Sequence, residues 1–355
     1  MPNTQIDYSE LSTSANYELV AEKYRPIFKK IAEGTLQRET EIILPFEPIQ
    51  WLKQVGFGAV RVPVKYGGDG LSLPQLFQLL TELAKADSNV IQALRGHFAF
   101  VEDRLIAHRD QNQQVWFNRF VQGDLVGNAW TEVGSVKIGD VLTRVTRNAQ
   151  GQLEVNGSKY YSTGSIFADW IDLYAYDDVN QRPVIAAVNR HDQGVSVLDD
   201  WDGFGQKTTG SGTLTLKNVT VEDSHLIEFE DRFKYQTAYY QQFHLATLTG
   251  IAQSAVDSFS HEVRERKRIF SHGNADLARH DAQVLQVIGQ ASANAYASEA
   301  ITQKVAESLQ QAYLSHFESS EVLEHQANVA AELESAQGQV VVSKLVLDLT
   351  SNLFN

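Results

Sequence analysis

From Tyr17 to about Phe120 apolar residues recur three and four positions apart, as at Leu76, Leu79, Leu80 and Leu83, the spacing of helices with one buried face. Turn chemistry interrupts the pattern. Pro63 and the run Tyr66-Gly67-Gly68-Asp69-Gly70 read as a loop, and Ser72-Leu73-Pro74 opens the next helix with a cap and a proline in its first turn. From about Leu125 to Ile227 the period changes to two. Val141, Thr143 and Val145 alternate before Asn148-Ala149-Gln150-Gly151, and Leu153 and Val155 alternate after it, which predicts a hairpin. Further strands are expected over 172–176, 183–188, 195–198 and 213–219. From about Arg232 the spacing is helical again, in three long pieces broken near Ser271-His272-Gly273-Asn274 and Ser319-Ser320. Long amphipathic helices of this kind pack as a bundle and supply an oligomer core. The reading is α+β: an N-terminal all-helical domain over 1–124, a central β-barrel-like domain over 125–231 and a C-terminal helical bundle over 232–355.

Composition narrows the function classes. A chain of 355 residues that is 43% hydrophobic and 21% charged is long enough for such units and ordinary for a soluble protein. A formal net charge of −14 argues against a phosphate-tracking nucleic-acid binder. No apolar run approaches a membrane span, and the polar stretch before Gln37 lacks the apolar segment of a signal peptide, so a cytoplasmic protein without membrane partners is expected. The absence of cysteine excludes disulfides, thiolate catalysis and cysteine-ligated zinc, and no metal site is expected. Met1 is the only methionine, which leaves no sulfur in the body of the protein for an oxidant to attack.

Two segments carry the chemistry. Gly127-Asn128-Ala129-Trp130-Thr131-Glu132-Val133-Gly134-Ser135 resembles the "TE-x-x-GS" strand end and loop that holds the flavin ring in the acyl-CoA dehydrogenase superfamily. Tyr160-Tyr161-Ser162-Thr163-Gly164-Ser165 resembles the following "W-I-T" strand, and the glycine-rich run from Gly205 to Thr213 and Asn218-Val219-Thr220-Val221 come in the family's order. A flavin ring has apolar faces and a polar pyrimidine edge, so its site needs backbone amides and hydroxyls on one edge and bulky walls around it. By resemblance, Asn128, Trp130 and Thr131 line the pyrimidine side, Ser135 reaches the phosphate chain, Tyr161 borders the cofactor, and Thr163 sits near N5. Thr131 and Thr163 equally fit ordinary strand threonines, and Trp130 an ordinary core aromatic.

The dehydrogenase branch needs a glutamate over the flavin to remove a proton α to a thioester. One family position for it reads Tyr239-Tyr240-Gln241-Gln242-Phe243-His244, without a carboxylate, and the other lies beyond Asn355. The segment Asn89–Asp103 instead resembles the one bearing the active-site histidine of two-component monooxygenases of the dibenzothiophene and sulfone type. Helical spacing sets Val90, Leu94, His97 and Val101 on one face. That spacing alone also fits a core histidine whose hydrogen bonds are satisfied. The run Arg264-Glu265-Arg266-Lys267-Arg268 is similar to the "R-x-R-x-R" of that branch, and guanidinium groups suit a cofactor phosphate across a subunit boundary. Arg266 and Arg268 are both candidates; a solvated charge run at a helix end is the alternative.

The resemblance implies a homotetrameric monooxygenase that takes reduced FMN from a separate NAD(P)H-flavin reductase. With dioxygen it forms a flavin C4a-(hydro)peroxide and oxygenates a small apolar substrate, sulfur compounds among the candidates. His97 would manage the proton, Asn128 and Thr163 would donate hydrogen bonds to the peroxide, and Phe98, Trp130, Ser211 and His244 would meet the substrate. Each has a structural alternative: core aromatics for Phe98 and Trp130, a turn for the loop bearing Ser211, and a helix-packing role for His244. An FAD-dependent acyl-CoA dehydrogenase and a catalytically inactive superfamily member are the competing readings. Relatives continue past a segment like Ser351-Asn352-Leu353-Phe354 into a region resembling "D-R-H-W-R-N-A-R", so an end at Asn355 is expected to weaken the hold on flavin.

Overall fold

Ala21, Tyr24, Phe28 and Ile31, three and four apart, form the buried face of α1 (Tyr17–Glu33), which is followed by α2 (Thr35–Glu41) and α3 (Phe46–Gln54). The computed structural model describes residues 15–133, 141–268, 273–318 and 320–353. The loop expected after Pro63 is there: Gly67 and Gly70 take left-handed backbone, and Tyr24 donates its hydroxyl to Asp69 within it. The chain then enters α4 (Leu73–Ala86), α5 (Ser88–Ala93), α6 (Arg95–Ala107) and α7 (Gln114–Val121). Where the spacing suggests one helical face across Val90 and Val101, the helix breaks at Leu94. α6 is buried on every side from Gly96 to Ile106, including His97, Glu102, Asp103 and Arg104. Its charges are therefore paired: Arg61 Nε lies 3.0 Å from Glu102, and the Tyr235 hydroxyl 2.5 Å.

Among the described residues the alternating region folds into eight strands: β1 (Val126–Ala129), β2 (Arg144–Arg147), β3 (Leu153–Lys159), β4 (Trp170–Asp177), β5 (Arg182–Asn189), β6 (Val195–Val197), β7 (Leu214–Val221) and β8 (Leu226–Glu228). β2 and β3 make the expected antiparallel hairpin, with Val145 opposite Val155. Among the described strands the hydrogen-bonded path runs open, in the order β6-β7-β3-β2-β4-β5-β8. β1 and β2 share one edge of β4, both parallel to it: β1 pairs with Trp170–Leu173, β2 with Tyr176 and Asp177. Between them the chain leaves the sheet at Trp130, and that departure sets the site. One inner face, including Val145, Val155, Ile171, Leu173, Val184 and Leu216, forms the sheet's core.

The chain divides into two compact units, Met1–Ser72 with Asn89–Gln236, and Leu73–Ser88 with Thr237–Asn355. The second contains α4 together with the three long helices α8 (Gln236–Glu265), α9 (Ala282–Ser315) and α10 (Glu321–Asn352). A helix from the N-terminal block thus completes a four-helix packing. Phe77 of α4 sits edge-on to Tyr239 and Phe243 of α8, and Gln310 of α9 accepts from the first amide of α4, Leu73, at 2.8 Å. Gly250 lets α8 approach α4 closely: a Cβ there would come 2.4 Å from the Ala84 side chain.

Candidate active site

One glycine lets the two motif segments meet, and a second seats the 161–165 turn against α5. A side chain at Gly127 would meet Ser165 Cα at 2.4 Å, and one at Gly164, whose φ is +76°, would meet the Ala93 carbonyl at 2.0 Å. Without a side chain at Gly127, β1 lies against the 161–165 turn, and without one at Gly164 that turn lies against Ala93. The Asn128 amide donates to the Thr163 carbonyl at 3.3 Å, and Tyr161 turns the chain with a left-handed φ of 59°. Asn128 and Thr163 are thus joined through the backbone.

The side chains then sort by environment. Asn128 is buried and its Oδ1, packed against Gly96, has no hydrogen-bond partner among the described residues. The Thr163 hydroxyl is 2.8 Å from Ser211 Oγ, which is 2.7 Å from Thr209 Oγ1, and Thr209 donates to the Gln206 carbonyl at 3.0 Å. Ser211 therefore belongs to an internal hydroxyl chain. Trp130 donates its indole N–H to Asp172 at 2.9 Å, while the Arg232 guanidinium lies over its ring at 4.9 Å. Arg232 binds the same Asp172 at 3.0 Å. Burial pushes the Asp172 carboxyl upward, and Arg232 and Trp130 counteract that.

Thr131 has an exposed side chain, and its carbonyl accepts from the Tyr160 amide at 2.9 Å. Its neighbour Glu132 carries the structural load. The Glu132 carboxylate accepts from Lys159 Nζ at 2.6 Å, Thr143 Oγ1 at 2.6 Å, the Thr143 amide at 2.9 Å and the Leu142 amide at 2.7 Å. Burial alone would raise its pKa, but these four donors pull it down to about 2. Lys159 also reaches the Trp130 carbonyl at 3.2 Å, so the pair ties β3 to the point where the chain leaves the sheet.

His97 is wholly buried. Its Nε2 lies 2.8 Å from the Gly58 carbonyl and its Nδ1 accepts from the Val126 amide at 3.2 Å, which fixes a neutral ring with the proton on Nε2. Burial lowers its pKa to about 4, only partly offset by the Gly58 carbonyl. The ring holds the start of β1. Phe98 is fully buried against Phe57 and His97. Tyr161 is half exposed and edge-on to Trp201 at 5.5 Å. His244, half buried on α8, and Arg266 and Arg268, exposed just past the end of α8, belong to the second unit. Ser135 lies outside the described residues.

Residues 14–124 match the model of the acyl-CoA dehydrogenase N-terminal domain. The chain has the acyl-CoA dehydrogenase fold. It is 25% identical to the FMN-bound TdsC of Paenibacillus sp. A11-2, with a TM-score of 0.83, covering 94% of this chain and 86% of that one. It is 23% identical to the "Probable FMNH2-dependent monooxygenase SfnC" of Pseudomonas putida, over 93% of this chain and 82% of the relative. The dibenzothiophene monooxygenase of Rhodococcus erythropolis is 24% identical over 73% of this chain, which spans 66% of that protein's length. FMN appears in two of these names and FAD in none, so the FAD alternative gains no support.

Asp172, Arg232, Lys159 and Thr209 also belong to this cluster, although the motifs do not mark them. Two of them left a trace in the sequence. Asp172 is charged within the apolar run of β4, and Lys159 falls in phase with Leu153 and Val155, so both needed a buried partner. Thr209 left none, because a threonine in a glycine-rich loop is ordinary.

Proposed function

We propose that this chain is the oxygenase of a two-component system: a homotetrameric monooxygenase that receives reduced FMN from a separate NAD(P)H-flavin reductase and oxygenates a small apolar sulfur compound. Its three domains would meet near 124 and 231. The observation that carries the reading is the junction of β1 with the 161–165 turn, which ties Thr163 through the backbone to Asn128, whose buried Oδ1 has no partner among the described residues, two positions before Trp130. A polar edge beside an aromatic wall suits a flavin ring. When bound, reduced flavin supplies two electrons, so that one atom of dioxygen enters the substrate and the other leaves as water.

The chain's own residues would bind and position. Asn128 would hydrogen-bond the ring's polar edge, Thr163 would sit near N5, Trp130 would wall the ring, and Tyr161 would flank it. Thr131 would lie beside the ring on the support of the Glu132–Lys159 pair. Ser135 and either Arg266 or Arg268 would take the phosphate. Ser211 would back Thr163 and Phe98 would pack behind the ring, while His244 is a separate candidate for substrate contact. His97, neutral and held at both nitrogens, would act by fixing β1.

Anaerobic titration with photoreduced FMN, followed by mixing with labelled dioxygen and dibenzothiophene, tests the proposal. Tight binding and one labelled oxygen in the sulfoxide are expected. No flavin binding at high protein concentration would overturn it.

A further inference from the structure

The hydroxyl chain behind Thr163 has a fixed direction. Its far end is the Gln206 carbonyl, which has no proton to give and also accepts from the Trp201 indole at 3.0 Å. Gln206 holds that carbonyl in place with a left-handed φ of 54°. Thr209 must therefore donate to Gln206. Its single proton is then committed, so across the 2.7 Å contact Ser211 donates and Thr209 accepts. Ser211 in turn accepts across 2.8 Å, and Thr163 gives its only proton to Ser211. Thr163, Thr209 and Ser211 are all at most 5% exposed, so water cannot easily take over a place in the chain.

The consequence falls on Thr163. With its proton engaged, its oxygen offers only lone pairs to a ligand, in place of the donated hydrogen bond that the resemblance implied. Oxidised flavin presents a bare N5 that needs a donor, whereas reduced flavin carries N5–H and needs an acceptor. We propose that the Thr163–Ser211–Thr209–Gln206 relay makes Thr163 an obligate acceptor and so gives the site its preference for reduced over oxidised flavin. This rests on the flavin reading above, with Thr163 facing N5. Thr209 and Ser211 are positioning residues that act through Thr163. They set the oxidation state the site admits, a property suited to an oxygenase that must collect its flavin already reduced.

The test compares the dissociation constants of oxidised FMN and anaerobic, photoreduced FMN, and the reduction potential of the bound flavin. The variants are Thr209→Val, Thr209→Ser and Ser211→Ala. In Thr209→Val the Ser211 proton is released to point at Thr163, whose own proton becomes free to meet a bare N5. A single hydrogen bond is worth about 0.5–1.5 kcal/mol, so the preference for reduced FMN should fall about tenfold. That change lowers the bound potential by about 30 mV. Ser211→Ala should move it the same way, and Thr209→Ser, which restores the relay, should behave as wild type. An unchanged ratio in both Thr209→Val and Ser211→Ala, with flavin still bound, overturns the relay's role alone. Wild-type protein that binds neither form of FMN overturns the flavin reading and the relay's role with it.

Discussion

Replacing Lys159 with Met isolates the ion pair that anchors the site. In the folded chain Lys159 Nζ is wholly buried and 2.6 Å from a Glu132 carboxylate that is itself only 8% exposed. Loss of the ammonium leaves three donors on Glu132 and none from Lys159 on the Trp130 carbonyl. Breaking one side of such a pair costs about 3–5 kcal/mol. The pH dependence reads all four donors on Glu132 together, net of its burial. Glu132 falls from 4.5 to about 2 on folding, and at about 1.4 kcal/mol per unit that is about 3 kcal/mol of stability. Burial pulls the Lys159 ammonium downward, against the charged form, so the net worth of the pair is smaller. A double-mutant cycle of Glu132→Gln and Lys159→Met, read by urea unfolding at pH 7, should give a coupling of about 2 kcal/mol. Because the Glu132 pKa is depressed, its stabilisation is complete above pH 4.5 and disappears as pH falls toward 2. The wild-type urea midpoint should therefore drop more steeply than that of Glu132→Gln between pH 5 and pH 3. Additive single costs together with equal acid slopes would refute the reasoning.

Three further outcomes follow from the same geometry. His97 is lowered from 6.5 to about 4, so folding should lose up to about 3 kcal/mol as pH drops through that interval, and His97→Asn should lack that component in a urea series from pH 7 to pH 4.5. Arg232→Leu strands Asp172 under the Trp130 indole and should cost about 3–5 kcal/mol with a red-shifted tryptophan emission, whereas Asp172→Asn, which keeps an acceptor for the indole, should cost less; equal melting temperatures would contradict this. Gly164→Ala combines a left-handed φ with a 2.0 Å approach to the Ala93 carbonyl and should lower stability by more than about 4 kcal/mol, while Gly205→Ala, facing open space, should melt as wild type.

Periodicity made the architecture legible because it reflects burial along one element at a time. The strands expected over 172–176 and 183–188 are β4 and β5, and the three helical pieces after Arg232 are α8, α9 and α10. What periodicity could not show was that α4 packs with those helices, since nothing in the repeat of Leu76, Leu79, Leu80 and Leu83 names the partner face. The same limit applies to the break at Leu94, where α5 and α6 each continue the apolar spacing.

The site was legible to a different depth. Motif order set Asn128 and Thr163 in consecutive segments, and Gly127 lets those segments come into backbone contact. The partners of each side chain come from far along the chain: Asp172 and Arg232 for Trp130, Lys159 for Glu132, Ser211 and Thr209 for Thr163. Such pairings are products of the strand register. Shifting β4 by one residue against β1 would turn Asp172 away from Trp130. A charged residue in an apolar phase announces that a partner is needed, as Asp172 and Lys159 do, but it does not say which. His97 illustrates the converse. Its position among apolar residues fits a proton donor and a core ring equally, and only the Gly58 carbonyl and the Val126 amide, one on each nitrogen, separate a group free to move a proton from one whose hydrogen bonds hold a strand in place.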